Sequence, residues 1–461
     1  MRGTPFSISR WYQAGRRVNC RDWNSFLPSD PKPLALNRRI PAQPLRIELL
    51  AKQTGLASAQ RWFMRERAWI NERQLQLCRI GAPTFLEQRC AEWFRDQLTA
   101  LGWHATLDRA GNVIARFRAT GGNPSLVLSA HLDTVLAPNR AEDIHFSPDG
   151  RLCGPGVSDN GSGLAALIAF ARLLHETSEL HELASSLLLV ANVGEEGEGN
   201  LNGMRYLCRQ LLSNGSRSAL RAFIVLDGPS VDHITAQALA SRRFEIVFSG
   251  PGGHSWNDYG TPNPVHALAD AVSRFVEAAE ARTAAQQNVR CSYNFGLIEG
   301  GMSINSIAAT ARAKLDVRSE DASIFDDLLG LLSAAVERGL ERENRRATTV
   351  RLSAKVSELG SRPGGKLADE SPLLRTVQAV DSHLHIRSRI HCASTDANIP
   401  LSLGAPAVSI GTGGQGGGAH TPQEWYQPEG RELGLKRILL VLAALAEENG
   451  NHRQSAGPAE Q

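Results

Sequence analysis

Three things are scarce or missing in this chain. Its seven cysteines are an odd number, scattered without a C-x-x-C pair, which fits reduced thiols in a cytoplasmic protein better than a disulfide framework. No apolar run approaches the length of a membrane span, and the start lacks the apolar segment of a secretory leader. No stripe of lysine and arginine occurs and the net charge is only +3, so an electrostatic grip on nucleic acid is not expected. The glycine-dense loop around Gly413–Gly418 carries no lysine and no G-K-[ST] ending, so it is not a phosphate cradle; it reads as a loop that lets a substrate backbone come close. What remains is a chain of 461 residues with ordinary charged and apolar fractions, long enough for about two to three domains with sizeable cores.

The chain is organised around Leu126–Gly163, SLVLSAHLDTV … LCGPGVSDNGSG. Leu126–Ala130 reads as a buried strand that delivers His131 and Asp133 to one side, because side chains two apart on a strand share a face. Gly154-Pro155-Gly156 then breaks the chain and presents Asp159 just before a helical run, Leu164–Leu174. The ends of strands are where open α/β sheets bind ligands. Alone, the H-x-D pair could equally be structural.

The same pattern recurs downstream. Ser186–Val190 runs into Gly194-Glu195-Glu196-Gly197, and Phe223–Leu226 ends in Asp227-Gly228. Upstream, Thr84–Glu87 reads as a capping box opening a helix, with Cys90, Phe94, Leu98 and Leu101 as its apolar stripe and Gly102 as its stop. Asp108–Gly111 turns a hairpin. Strands alternating with helices predict an α/β fold, a mostly parallel sheet with helices on both faces. Between about Arg242 and Val356 the rhythm changes to strand (Phe244–Phe248), helix (Pro264–Ala281), strand (Val289–Ile298), strand (Ile307–Val317), helix (Ile324–Arg342) and strand (Thr348–Ala354), the ferredoxin-like order. The domain reading is therefore a disordered Arg/Pro-rich extension over 1–43, a main α/β domain over 44–240 and 359–448, an inserted α+β domain over 241–358, and a frayed tail over 449–461.

Lined up, the strand-end groups are His131, Asp133, Asp159, Glu195, Glu196 and Asp227, with His420 in the late glycine loop. Imidazoles and carboxylates in this mixture suit zinc, with manganese or cobalt as substitutes. They exceed what one tetrahedral ion needs, and a pair of divalent ions bridged by one carboxylate uses them all. Gly194 and Gly197 permit the turn that brings both glutamates to one centre, one to bind metal and the other free as a general base.

SAHLDTV, GPGVSDNGSG, the Glu-Glu doublet, the LDG acid and the GGAH histidine, in that order around a ferredoxin-like insert, resemble the di-zinc peptidases and deacylases that include glutamate carboxypeptidase, aminoacylase, acetylornithine deacetylase and peptidase T. The resemblance spans about Glu48 to Glu447. It implies a zinc-exopeptidase-like fold whose insert is a lid and dimerisation domain. It also implies that His131 and Asp227 bind one Zn2+, Glu196 and His420 the other, and Asp159 bridges both. Asp133 then orients His131 and Glu195 is the general base, taking the proton of the attacking water and passing it to the leaving nitrogen. A cis peptide is implied after Asp159. His254 matches the lid histidine that reaches the partner's active site in dimeric members, and Asn305 and Arg318 match substrate-contacting positions. The alternative readings are that Asn305 satisfies loop backbone and that Arg318 pairs with an acid on its own sheet.

STDANIP and IGTGGQGGGAHTPQEW are most similar to the peptidase-T-like side, which implies a homodimeric aminopeptidase of di- or tripeptides. The alternatives are an N-acyl or N-carbamoyl amino acid amidohydrolase and a non-catalytic peptide-binding relative. His145, His175, His181, His233, His266, His383, His385 and His391 lack partners at metal spacing, and Cys153 and Cys392 read as packing residues.

Overall fold

The computed structural model describes residues 43–117, 124–212, 220–284, 289–347 and 350–455; the extension expected before Gln43 and the end after Ser455 lie outside them. Three helices, α1 (Gln43–Ala51), α2 (Thr54–Arg65) and α3 (Arg67–Cys78), lead to α4 (Gln88–Ala100). Strands β1 (His104–Leu107) and β2 (Val113–Arg116) form an antiparallel hairpin. Asp108 Oδ1 accepts the N–H groups of Ala110 and Asn112 across its turn. Then come β3 (Leu126–His131), α5 (Gly161–Glu176), β4 (Leu187–Asn192), β5 (Ala222–Leu226) and β6 (His233–Ala238).

The insert follows as β7 (Ala240–Ser249), α6 (Pro264–Ala284), β8 (Cys291–Gly300), β9 (Thr310–Ser319), α7 (Ile324–Asn344) and β10 (Ser353–Arg362). The chain then returns through β11 (Gly365–Lys366), α8 (Pro372–His383), β12 (Arg389–Ala393), β13 (Ala407–Ile410) and α9 (Arg431–Ser455).

The large sheet runs β1-β2-β4-β3-β5-β13-β6-β11, with β12 also beside β6. Its centre, β4-β3-β5-β13, is parallel throughout, and β2, β6 and β11 join antiparallel at the flanks. Every residue of β3, β4 and β5 is buried. A strand can be apolar without alternation only when both faces of its sheet are covered, which is why these runs were readable as LVLSA, LLLVA and AFIVL.

The insert is built differently. Its strands are antiparallel in the order β8-β9-β7-β10, the ferredoxin-like arrangement. β9 alternates buried and exposed residues, so one face packs on helices and the other is open. Phe244, Ile246 and Phe248 of β7 meet Phe275 of α6 and Leu328 and Leu332 of α7 in a core separate from that of the large sheet.

Two local expectations fail because polar side chains find partners outside the element they were expected to build. Thr84 and Glu87 do not form a capping box: the Thr84 hydroxyl donates to Asp133 and the Glu87 carboxylate accepts the N–H of Gly194, and α4 starts only at Gln88. The last insert strand starts at Ser353, not Thr348, which lies outside the described residues; the main chain of Leu352 is taken by the Asn344 side chain at the end of α7.

The fold also buries an ion pair away from the strand ends. Arg437 on α9 donates from Nε to Asp381 Oδ1 and from Nη2 to Asp381 Oδ2, both at 2.7 Å, linking α9 to α8. Arg437→Met leaves the Asp381 carboxylate buried without its partner, and is expected to lower unfolding stability by about 3–5 kcal/mol. Chemical denaturation should show a reduced midpoint at unchanged slope, with most of the loss recovered in Arg437→Met/Asp381→Leu.

Candidate metal centre

The strand ends of the parallel centre lie side by side, and the groups they carry converge. β3 delivers His131 and, two residues on, Asp133, both buried. β4 leads into Gly194, with φ 65°, and then Glu195 and Glu196 before Gly197, with φ 50°. This turn sends the two carboxylates in different directions, one to Arg362 and one to His420. β5 ends at Leu226, next to Asp227. Asp159 precedes α5 in a loop held by Asn160, whose side chain accepts the N–H of Gly163 as a helix cap and donates to Leu226 O at 2.7 Å. The Asp159–Asn160 peptide is cis.

Asp159 stands between the two imidazoles. Its Oδ1 is 3.1 Å from His131 Nε2 and its Oδ2 is 3.1 Å from His420 Nε2. Asp227 Oδ1 lies 4.0 Å from the same His131 Nε2, and Glu196 Oε1 lies 2.9 Å from His420 Nε2. The structure therefore brings His131, Asp159, Asp227, Glu196 and His420 together from five separate stretches of chain, and the donor atoms of His131, Asp159 and Glu196 alone are close enough to share one ion.

The electrostatics describe a site that lacks positive charge. Burial and the neighbouring Asp159 push the Asp227 carboxyl up to about 7. Hydrogen bonds to Asp159 and Glu196 raise the His420 imidazole to about 10. Burial works against a charged His131, yet Asp133 and Asp159 outweigh it and hold the ring well above its ordinary value. The acids thus retain protons on both rings. Metal binding displaces such protons from its ligands, so a nitrogen-and-oxygen donor set of this kind fits a divalent cation.

Asp133 lies against both His131 and the glutamate doublet. His131 Nδ1 is 2.9 Å from the Asp133 main-chain carbonyl and 3.6 Å from its carboxylate. The carboxylate also accepts the N–H groups of Glu195 and Glu196 at 2.9 and 2.8 Å. It therefore clamps the doublet's main chain while its carbonyl fixes the ring.

Three residues around the centre were not foreseen. Glu424 accepts the N–H groups of Ser158 and Asp159 on Oε1 and of Gly156 on Oε2, at 2.7–2.8 Å, so it staples the loop that carries Asp159. Arg362 pairs with Glu195. Asp396, buried and pushed up by burial to about 6, accepts from Asn192 at 2.6 Å. The sequence signal was thin: an acid four residues after His420, and an acid inside STDANIP.

A Cβ on Gly413 would meet the Arg431 carbonyl at 2.5 Å, and one on Gly416 would meet Ser158 Oγ. These glycines let the chain pack closely on itself.

His254, Asn305 and Arg318 lie on the insert, without contact to the five donors among the described residues. His254 is exposed and its Nδ1 accepts the N–H groups of Trp256 and Asn257. Asn305 Oδ1 accepts from Ser303 Oγ. Arg318 donates to Asp316 at 2.7 Å, an acid on its own strand. Trp256 and Tyr259, 83% and 81% exposed, stand with Met302 and Ile304 among the insert's exposed apolar side chains.

Comparison with known proteins identifies the family. The model of peptidase family M20/M25/M40 matches residues 127–448. The chain is similar to the cytosol non-specific dipeptidase of Escherichia coli, 24% identical over 293 residues, 58% of each chain. It is also similar to the succinyl-diaminopimelate desuccinylase of Ruegeria pomeroyi, 25% identical over 310 residues, 64% of this chain and 78% of that one. The chain spans little over half the length of two of the curated relatives it matches. In fold it resembles a tripeptidase from Staphylococcus aureus, with a TM-score of 0.65 at 20% identity over 83% of this chain and 99% of that one.

Proposed function

The chain belongs to peptidase family M20/M25/M40, and from that membership we propose that it is a metal-dependent hydrolase of the amide bond in short peptides, a di- or tripeptide aminopeptidase. The observation that carries the reading is the Asp159 carboxylate, which turns one oxygen to each imidazole. In this reading His131 and Asp227 hold one divalent cation, Glu196 and His420 hold a second, and Asp159 serves both. Zinc is the first candidate for such nitrogen and oxygen donors, with manganese and cobalt as substitutes. When bound, the cations supply Lewis acidity to the scissile carbonyl and make a water at the site acidic, near pKa 7.

The chain's own residues carry the proton. Glu195 accepts it from the attacking water and returns it to the leaving nitrogen, while Asp133 keeps the doublet's main chain in place. Residues 241–358 form a lid over the site built by 44–240 and 359–448. His254 of a second subunit stabilises the developing oxyanion, and Asn305 and Arg318 contact substrate, Arg318 once released from Asp316. The exposed Trp256, Tyr259, Met302 and Ile304 near His254 support a homodimer through this lid, because apolar groups of this size are usually covered. Unpaired thiols at the six described cysteines support a cytoplasmic location, and no described helix is long and apolar enough to cross a membrane. The desuccinylase likeness supports a second reading, hydrolysis of an N-acyl or N-carbamoyl amino acid.

A panel of tri-alanine, N-acetyl-tri-alanine, N-acetyl amino acids and N-carbamoyl amino acids tests both. Tri-alanine should be cleaved, chelator-stripped protein should be inactive, and zinc, manganese or cobalt should restore the rate. Turnover of blocked substrates alone selects the second reading, and full activity in metal-free protein overturns both.

A further inference from the structure

We infer that Arg362 is a positioning residue for the reaction: it grips Glu195 by one carboxylate oxygen and by its main-chain carbonyl, and so turns the other carboxylate oxygen toward the site. The inference rests on Glu195 being the general base. Arg362 Nη1 donates to Glu195 Oε1 at 3.0 Å, and Nη2 donates to Glu195 O. Both residues are buried, Arg362 at 6% exposure and Glu195 at 4%.

The same molecule contains the contrasting case. The Arg437 guanidinium engages both oxygens of Asp381, the parallel two-bond geometry in which an arginine and a carboxylate satisfy each other. Arg362 takes one oxygen only and directs its second bond to the same residue's main chain. Glu195 Oε2 is left without a hydrogen-bond partner among the described residues. A carboxylate that is to accept a proton needs one oxygen held and one free, and this arrangement provides it.

The guanidinium is delivered from a fixed base. Arg362 is the last residue of β10, paired with Ser241 of β7 where the small sheet meets the rest of the chain. On one side the Ser361 carbonyl accepts from Arg205, and on the other the Pro363 carbonyl accepts from Asn398 at 3.0 Å. Ser394 Oγ, 3.0 Å from Nη1, adds a third point of contact. The strand leaving the lid therefore sets the angle of the base.

The test compares Arg362→Met and Arg362→Lys with the parent, each loaded with metal and assayed on tri-alanine, or on N-acetyl-tri-alanine if the panel selects it. Misplacing a reacting group by about 1 Å can lower a rate about a hundredfold. Arg362→Met is therefore expected to lose about a hundredfold in kcat with KM within about threefold. Arg362→Lys, which keeps the charge but cannot hold both acceptors in one plane, should lose about tenfold. Metal content measured by atomic emission should stay at the parent value in both. In a Glu195→Gln background Arg362→Met should add no further loss, since no base remains to be placed.

A kcat within twofold of the parent in either folded variant overturns the inference. So does a loss of bound metal, or a loss that multiplies with that of Glu195→Gln. If Arg362→Met does not fold, Arg362→Lys decides alone by the same criteria. Should Glu195→Gln itself turn over near the parent rate, the assignment of the base fails; a dead Glu195→Gln beside unimpaired Arg362 variants removes only the role given to Arg362.

Discussion

Glu195→Gln is expected to bind as much metal as the parent protein and to lose about 10²–10⁴-fold in kcat, the range over which a positioned acid or base contributes. Glutamine has the shape of glutamate, its side-chain oxygen can still accept from Arg362, and the main-chain grip of Asp133 on residue 195 does not involve the side chain. What it cannot do is receive a proton. Initial rates on the responsive peptide, paired with atomic emission on the same sample, make the comparison. A variant within a few-fold of the parent rate removes Glu195 from the reaction, whereas one that has lost metal shows that the side chain belongs to the centre itself.

Asp159→Asn should fall hardest on the metal. The His131 and His420 bonds hold the Asp159 carboxyl well below the usual range despite its burial, so it offers two anionic oxygens, one to each imidazole. An amide offers one neutral oxygen and an NH2 group that donates instead of accepting. Loss of a supporting hydrogen bond around a metal typically weakens binding about 10–100-fold, and loss of a shared ligand should exceed that. We expect at most one ion to remain, with weakened affinity, in titrations against a competing chelator. Retention of two ions at parent affinity would show that Asp159 is not shared.

Much of this was legible because the parallel centre of the sheet is simple. Leu126–His131, Leu187–Asn192 and Ala222–Leu226 are apolar runs that could only be buried on both faces, and each is followed by its acid or imidazole within a few residues. Where the reading failed, the partner was remote. Thr84 and Glu87 spell a helix cap locally, but their side chains go to Asp133 and Gly194. Glu424 and Arg362 act on residues 265 and 167 positions away, and nothing in a local window reports such a bond. The close packing of the glycine loop on Arg431, Tyr426 and Ser158 of the same chain was likewise invisible to a local window.

The order of strands bears on how the protein is made. β13 comes last of the large sheet's strands along the chain, yet it lies inside that sheet between β5 and β6. His420 and the Glu424 staple come after it. A growing chain on the ribosome therefore holds an open gap in its sheet, with one imidazole of the pair and no clamp on the Asp159 loop, until synthesis has passed residue 424. Such long-range closure is slow to form, so the donor groups of the centre meet only after the last strand of the large sheet has slotted between two strands made long before it.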